Sequence, residues 1–228
     1  MVDESLSLKK ISERLKNLYT PAISDTLDEM GYTSFSMKHT IKPLIANLKV
    51  AGQAITMKAK VYEKYKEIEM DKWLQVLLDS LEAAEPGKIF VVETGENLDI
   101  ASWGELMSNT AMHKGVEGAI TDGAVRDTQK ILEISPSFQI FAASRTPKDS
   151  KGRLEFIEFN TEILCAGVRV RPNDFVFGDE DGVVVIPKEI VNEVVTEAEN
   201  RANKEESLRK SIIEGMDVKE AYKKYRVF

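Results

Sequence analysis

Three observations predict that this chain folds as a single α/β domain. Apolar runs of strand length alternate with longer segments of helical periodicity, a pattern typical of a sheet with at least some parallel strands. The chain has 228 residues, 43% of them hydrophobic, which is enough for one large core. No Gly/Ser-rich linker, low-complexity tract or internal repeat divides it. We therefore expect one domain over residues 1–228, with an N-terminal helix at 1–19 and a helical extension at 188–228.

The first half of the chain predicts three helices and two strands. Helical spacing marks the first helix, through Leu8, Ile11, Leu15 and Leu18. Thr20 is predicted to be the N-cap of a second helix, with Pro21 at its first helical position, and this helix is expected to end near Gly31. A loose alternation of small and polar residues predicts a strand over 50–60, and an apolar stripe predicts a helix over 70–84. The continuous run at 89–92 predicts a strand covered on both faces.

The second half predicts one more internal helix, further strands and the long C-terminal helix. We expect a helix over 103–113, then a strand at 119–121 that ends in a turn at Asp122-Gly123. Two further strands are predicted at 138–143 and 168–170. Residues 175–177 and 183–186 predict a hairpin. From Lys188 to about Tyr225 the chain is heavily charged, with one apolar face, as in a solvated helix or a subunit contact.

Composition argues against several classes of function. The formal net charge of −7 disfavours nucleic acid and anionic membranes as partners, because their phosphates repel an acidic surface. A start without signal-peptide character, and no apolar run near the roughly 18 residues of a membrane span, predict a cytoplasmic protein. The single cysteine, Cys165, is expected in the core. With only His39 and His113, multi-histidine zinc sites and a Ser-His-Asp triad are disfavoured.

The sharpest local signal is Arg126-Asp127, which follows a strand at an expected helix start. A helix N-terminus attracts anions through its unpaired N–H groups and its partial positive charge. A guanidinium beside it can grip a carboxylate, and a neighbouring carboxylate can hold a divalent cation. The simpler interpretation makes Asp127 an N-cap and Arg126 a surface ion-pair partner. The dipeptide alone leaves both interpretations open.

The surrounding residues resemble the RraA-like family. The similarity centres on Trp103-Gly104-Glu105-Leu106-Met107, with twenty residues between Glu105 and Arg126-Asp127. It continues through residues 115–127, 145–149 and 151–153, and two outer segments, 22–28 and 178–187, also resemble the family. Residues 62–66 depart from it, because they are charged and aromatic where relatives often carry small residues. A position facing the site would make this segment a determinant of the substrate.

The resemblance implies a site and a reaction. Enzymes of this family are class II 4-hydroxy-4-methyl-2-oxoglutarate aldolases. By this resemblance Asp127 binds Mg²⁺, or Mn²⁺ or another divalent metal, while Glu105 orients a water of that metal. Arg126 contacts the keto oxygen of a pyruvoyl group, and the backbone N–H groups of Leu106 and Met107, next to Gly104, receive the substrate carboxylate. Retro-aldol cleavage then proceeds through a pyruvate enolate, and oxaloacetate decarboxylation through the same enolate is a natural companion activity.

The resemblance also implies the architecture and the assembly. The expected fold is a swivelling β/β/α-type sandwich with mixed sheets and a C-terminal helical extension. The expected assembly is a homotrimer or a dimer of trimers, with the site between subunits. A neighbouring subunit lends an acidic residue from its C-terminal helix, and the candidates are Glu205 and Glu199.

Two other functions are alternatives to the lyase. Some family members are regulators that inhibit RNase E by masking a protein surface, and these tend to lack the complete set formed here by Glu105, Arg126 and Asp127. That set favours the enzyme, although an acidic surface suits either role. A methyltransferase is disfavoured because no glycine-rich nucleotide loop follows an early strand.

Overall fold

The computed structural model describes residues 2–227, and the side chains of residues 8–227. Residues 1 and 228, the outer limits of the predicted terminal helices, lie outside it. The helices within the described part are α1 (Val2–Lys16), α2 (Thr20–Glu29), α3 (Met70–Glu82), α4 (Glu105–His113), α5 (Thr128–Ile134), α6 (Val191–Ile213) and α7 (Val218–Tyr225). Among residues 2–227, none of these helices is both long and apolar enough to cross a membrane.

The strands form one large mixed sheet and a small separate pair. They are β1 (Lys42–Pro43), β2 (Val50–Val61), β3 (Lys88–Glu93), β4 (Ala101–Trp103), β5 (Gly118–Val125), β6 (Gln139–Arg145), β7 (Leu154–Phe159), β8 (Ile163–Cys165), β9 (Val168–Val170), β10 (Phe175–Gly178) and β11 (Val183–Ile186). The large sheet has the order β1-β6-β5-β3-β2-β10-β11, while β4 pairs with β5 and β7 with β2. This curled mixed sheet with C-terminal helices confirms the predicted fold class.

The parallel centre of the sheet is buried on both faces. Strands β2, β3, β5 and β6 run parallel as neighbours. In β3, Phe90 and Val92 enter the core beneath α3, α4 and α5. Ile89 and Val91 enter a second core on the opposite face. The continuous apolar run is explained by this two-sided burial, as predicted.

A third core joins the terminal helices to the β10–β11 hairpin, and it corrects one prediction. Helices α1, α2 and α6 pack their apolar faces on this hairpin. Helix α2 begins at Thr20, so the N-cap is Tyr19 and not Thr20 as predicted. The backbone N–H and the hydroxyl of Thr20 each donate to the Asp179 carboxylate over 2.7 Å. A carboxylate from the hairpin therefore replaces the local cap and suits the helix dipole.

The predicted turn at Asp122-Gly123 is wrong, because β5 continues through both residues to Val125. The buried Asp122 carboxylate accepts hydrogen bonds from the backbone N–H and the hydroxyl of Thr94, over 2.6 and 2.8 Å. A Cβ on Gly123 would lie 2.7 Å from the Thr94 hydroxyl oxygen, so this glycine permits close packing. The β5–β6 register shifts between Thr121 and Ala124, which is the signature of a bulge.

The C-terminal extension is helical but not continuous. Helix α6 ends at Ile213, and Gly215 has a φ of +97°. The Asp217 carboxylate then caps α7 by accepting from the N–H groups of Lys219 and Glu220. The glycine conformation and this cap break the single predicted helix into two.

Candidate functional site

The ends of β4 and β5 bring together residues that lie twenty or more positions apart in the chain. Trp103 pairs with Val125, and the Arg126 N–H donates to the Trp103 carbonyl over 3.0 Å. Gly104 follows immediately. A Cβ added there would lie 3.2 Å from Asp127 Oδ2 and 3.3 Å from Arg126 Cγ. Gly104, Arg126 and Asp127, which the sequence predicted as site residues, therefore form one contact group.

Asp127 adopts an unusual backbone conformation that frees its carboxylate. It occupies the N-cap position of α5 with a φ of 59°, in the left-handed region, and makes no side-chain capping bond. Aspartate tolerates this region better than most residues. The carboxylate lies 3.4 Å from Arg126 Nε and its side chain is 39% exposed. The interpretation of Asp127 as an ordinary N-cap therefore fails, because the side chain faces the site.

The Arg126 guanidinium lies between two carboxylates. Its Nη1 donates to Asp149 Oδ1 over 2.8 Å, while Nε faces Asp127. A guanidinium has five N–H donors, so these two contacts leave donors for a ligand. The group is thus oriented from one side and able to bind from the other.

Asp149, which contacts Arg126, is a residue for which the sequence predicts no role. It lies on the segment 146–153, which is fastened to the strand ends: the Thr146 N–H donates to the Val125 carbonyl, and the Ala101 N–H donates to the Lys148 carbonyl, both over 3.0 Å. The one signal in the sequence was its place in the family-like stretch 145–149.

The charged segment 62–66 contacts this same loop. The Lys66 N–H donates to the Gly152 carbonyl over 2.8 Å. The Arg153 guanidinium lies 5.2 Å from the centre of the Tyr65 ring, within cation–π range. The segment therefore packs on the loop that carries Asp149. Whether it faces the substrate stays a prediction.

Helix α4 presents its N-terminus beside Gly104. Trp103 belongs to β4 and not to the helix as predicted, because it pairs with Val125 of β5. Its ring is buried near Phe90 and Phe138, and its Nε1–H donates to Ser108 Oγ over 2.9 Å. Gly104 is the extended N-cap and has no side chain to cap the helix. The first-turn N–H groups, including those of Leu106 and Met107, have no partner within the helix. They are suited to bind an anion.

Glu105 begins this helix at the edge of the contact group. It is partly exposed, and its carboxylate accepts a hydrogen bond from the Asn109 amide one turn later. Asn109 Oδ1 in turn accepts from the Ser135 hydroxyl over 3.3 Å, which links α4 to the end of α5. Glu105 is therefore oriented within its own helix, next to Gly104.

The two C-terminal candidates, Glu199 and Glu205, both have partners within the chain. Arg14 donates to both Glu199 oxygens over 2.8 Å, and this contact lowers the pKa of Glu199. Arg201 donates to Glu205 over 3.0 Å, and the Tyr19 hydroxyl donates to Glu205 as well. Burial and the contact with Glu205 raise the pKa of Tyr19 to about 12. Glu199 is thus paired with α1, and Glu205 with Arg201 of its own helix and with Tyr19, which lies between α1 and α2.

The remaining predictions on single residues concern Cys165 and His113. Cys165 is fully buried, as predicted, and burial raises the pKa of its thiol. His113 is the last residue of α4, where the helix predicted over 103–113 was expected to end.

Fold and site together define a mixed α/β protein with an arginine–carboxylate site where two parallel strands end. The sequence model of the RraA-like family, described as Aldolase/RraA, matches residues 20–185. An uncharacterized protein of Methanocaldococcus jannaschii is 36% identical over 79% of this chain and 81% of its own length. The chain therefore belongs to the RraA-like family.

Two further comparisons agree with this membership. A Halalkalibacterium halodurans protein named "Putative 4-hydroxy-4-methyl-2-oxoglutarate aldolase" is 30% identical over 92% of this chain and 91% of its own length. The crystal structure of Streptomyces coelicolor RraAS2, described as an unusual member of the RNase ES inhibitor RraA protein family, superposes with a TM-score of 0.79. It covers 88% of this chain and 97% of that one at 24% identity, which shows a shared fold alone.

Proposed function

We propose that this protein is a divalent-metal-dependent carbon–carbon lyase. Its reaction would be the retro-aldol cleavage of 4-hydroxy-4-methyl-2-oxoglutarate or a related 2-oxo acid to pyruvate. One observation carries the proposal: the Arg126 guanidinium and the Asp127 carboxylate lie 3.4 Å apart, beside the open N-terminus of α4. A cation, a carboxylate and a set of unpaired N–H groups are what a 2-oxo acid with a metal requires.

The donor set at Asp127 fits Mg²⁺. Among the described residues, no group of three or more acidic, histidine or cysteine side chains is placed to hold a metal ion. Mg²⁺ does not need such a group, because it keeps several waters and binds through one or two carboxylates together with its substrate. Asp127 supplies a carboxylate that does not cap its helix. Mn²⁺ has similar oxygen preferences.

Different residues of the site would bind or orient different charged groups of the substrate. The first-turn N–H groups of Leu106 and Met107 would bind the substrate carboxylate, and the backbone at Gly104 would leave room for it. Arg126 would donate to the keto oxygen, where negative charge develops in the transition state. Asp149 would hold the guanidinium in that direction. A bound divalent cation would stabilise the same charge as a Lewis acid.

The bond changes follow from this charge distribution. The C4 hydroxyl gives up its proton, C4 becomes a carbonyl carbon, and the C3–C4 electron pair moves into the pyruvate enolate. Glu105, at the edge of the site, would accept that proton through an intervening water. Protonation of C3 then gives pyruvate. Oxaloacetate, which yields the same enolate by losing CO₂, would be decarboxylated at the same site.

Assembly with other copies of the chain is part of the proposal. The surface around the site carries exposed apolar side chains: Leu106 is 74% exposed, and Leu132 and Ile134 on α5 are also exposed. Such a patch suits burial against another copy in a homotrimer or a dimer of trimers. An acidic residue of the neighbouring subunit, Glu205 or Glu199, would complete the site. To reach that site, Glu199 would have to leave Arg14, and Glu205 would have to leave Arg201 and Tyr19.

A pyruvate-release assay tests this function. Purified protein, with and without Mg²⁺, is given 4-hydroxy-4-methyl-2-oxoglutarate and, separately, oxaloacetate, and pyruvate is followed with a coupled dehydrogenase. We expect metal-dependent release that Arg126→Ala and Asp127→Ala each abolish. Gln129→Ala, an exposed neighbour on α5, is the matched control. Release that does not depend on metal, or none from any 2-oxo acid, would favour the regulator that binds an RNase, which a pull-down with RNase E-type proteins would then detect.

A further inference from the structure

A cleft of about 210 Å³ lies near the β1 edge of the large sheet. Residues of β1, β5 and β6 line it. The residues that line it include the apolar Leu44 and Val125 and the basic Lys42 and Arg145. Its volume is several times the roughly 30 Å³ that one water molecule occupies, so it accommodates a small ligand group.

One residue that lines the cleft is the chain neighbour of Arg126. Val125, which lines it, immediately precedes Arg126 and pairs in register with Arg145. Consecutive Cα atoms lie about 3.8 Å apart and paired strands about 4.8 Å apart. The backbones of Arg145 and Arg126 are therefore separated by about 6 Å.

In the described part of the chain, Lys42 and Arg145 have no polar partner for their charged groups, unlike the arginines near the site. Arg126 is held by Asp149, and Arg153 donates to backbone carbonyls of its own loop. Within residues 8–227, for which side-chain contacts are described, neither Lys42 nor Arg145 forms an ion pair or a side-chain hydrogen bond. Both side chains are exposed. In a chain with 38 acidic and 31 basic residues, two such cations facing one cleft make a local site for an anion.

We propose that Arg145 and Lys42 bind the second carboxylate of a dicarboxylic 2-oxo acid whose keto end lies at Arg126. This inference rests on the proposed function and specifies its substrate class. A guanidinium grips a carboxylate through a pair of parallel N–H donors, and an ammonium adds a point charge. The apolar wall at Leu44 and Val125 would contact the hydrocarbon part of the same substrate. Arg145 and Lys42 are then specificity residues, because they bind the C5 carboxylate, which is attached to C4 but keeps its charge when the C3–C4 bond breaks.

The charge of the distal carboxylate is the same in the bound substrate and in the transition state. An interaction with it therefore contributes equally to both, and its loss raises KM without lowering kcat. For Arg145→Gln we expect a KM for 4-hydroxy-4-methyl-2-oxoglutarate that is about 10- to 100-fold higher, with kcat within about 3-fold of the parent. Lys42→Gln should raise KM less, because an ammonium lacks the two-donor fork.

The test compares a diacid with a monoacid that share the same reacting bond. Parent, Arg145→Gln, Lys42→Gln and the control Lys130→Gln, an exposed lysine on α5, are assayed with 4-hydroxy-4-methyl-2-oxoglutarate and with 4-hydroxy-2-oxopentanoate. We expect the two cleft variants to lose their preference for the diacid while KM for the monoacid and the melting temperature stay unchanged. An unchanged preference, or an equal loss on both substrates, would overturn this inference alone. No turnover of either substrate by the parent would overturn the proposed function.

Discussion

Replacement of Gly104 by alanine should separate activity from stability. Gly104 has φ and ψ values of −157° and −172°, an extended conformation that alanine adopts without strain. The new Cβ would lie 3.2 Å from Asp127 Oδ2 and 3.4 Å from Arg126 Nε. Both distances are at or below the closest ordinary van der Waals contact. Because these side chains are partly exposed, they can move by a few tenths of an ångström at little energetic cost.

The consequence for activity follows from the size of this displacement. A misplacement of about 1 Å can lower a rate by about 100-fold, so we expect kcat/KM of Gly104→Ala to fall by about 10-fold, equivalent to about 1.4 kcal/mol. Stability should stay equal or rise by about 0.5 kcal/mol, because alanine restricts the unfolded chain.

Pyruvate release and urea unfolding measure the two effects on the same protein, with Gln129→Ala as the control. An unchanged kcat/KM would refute the claim that activity depends on how closely Arg126 and Asp127 approach Gly104. A large loss of stability would show that Gly104 has another structural role.

Three further substitutions probe the supports around the site. Asp149→Asn should lower kcat/KM by about 10-fold, because it releases Arg126, while it changes the free energy of unfolding by under about 0.5 kcal/mol. A fall in kcat/KM with an equivalent loss of unfolding free energy would show that Asp149 is a purely structural residue. Asp179→Ala, which removes both acceptors from the start of α2, should cost about 1–3 kcal/mol in urea unfolding, and an unaltered midpoint would contradict this. Glu199→Gln should cost about 0.5 kcal/mol at pH 7, and the pH dependence of this difference is the test.

The sign of that pH dependence follows from the lowered pKa. Arg14 lowers the pKa of Glu199 in the folded state, so the pair stabilises the fold above the ordinary glutamate pKa of about 4.3. This contribution is lost as the pH falls through the lowered pKa. The difference in unfolding free energy between Glu199→Gln and the parent should therefore shrink between about pH 5 and pH 3. A constant difference over this range would show that the carboxylate charge contributes nothing.

The sequence predicted the centre of the sheet well, because burial there dictates residue type. The run at 89–92 predicted a strand covered on both faces, and the structure places it there. Strand β7 was missed. In β7, Leu154 and Phe156 face the core, but Glu155 and Glu158 lie between and beyond them. Its place in the sheet depends on pairing with β2, which is a long-range contact that no local pattern reveals.

The errors near the site have a tertiary cause. Asp-Gly is a common turn sequence, yet Asp122 stays in a strand because Thr94, 28 positions earlier, donates two hydrogen bonds to it. The predicted helix at 103–113 begins two residues before the observed one at Glu105. Sequence periodicity does not reveal that Trp103 pairs with β5. Asp149 received no role for the same reason. Its contact with Arg126 depends on a loop anchored to two strands.

The central claim is that Arg126 and a metal held by Asp127 act on one oxygen atom. A crystal structure with Mg²⁺ and oxalate, a planar dianion that resembles the pyruvate enolate, measures this directly. We expect an oxalate oxygen about 2.8 Å from the Arg126 guanidinium, Mg²⁺ about 2.1 Å from an Asp127 oxygen, and the other carboxylate group at the first-turn N–H groups of α4. Oxalate bound away from Arg126, or Mg²⁺ bound without Asp127, would contradict the claim.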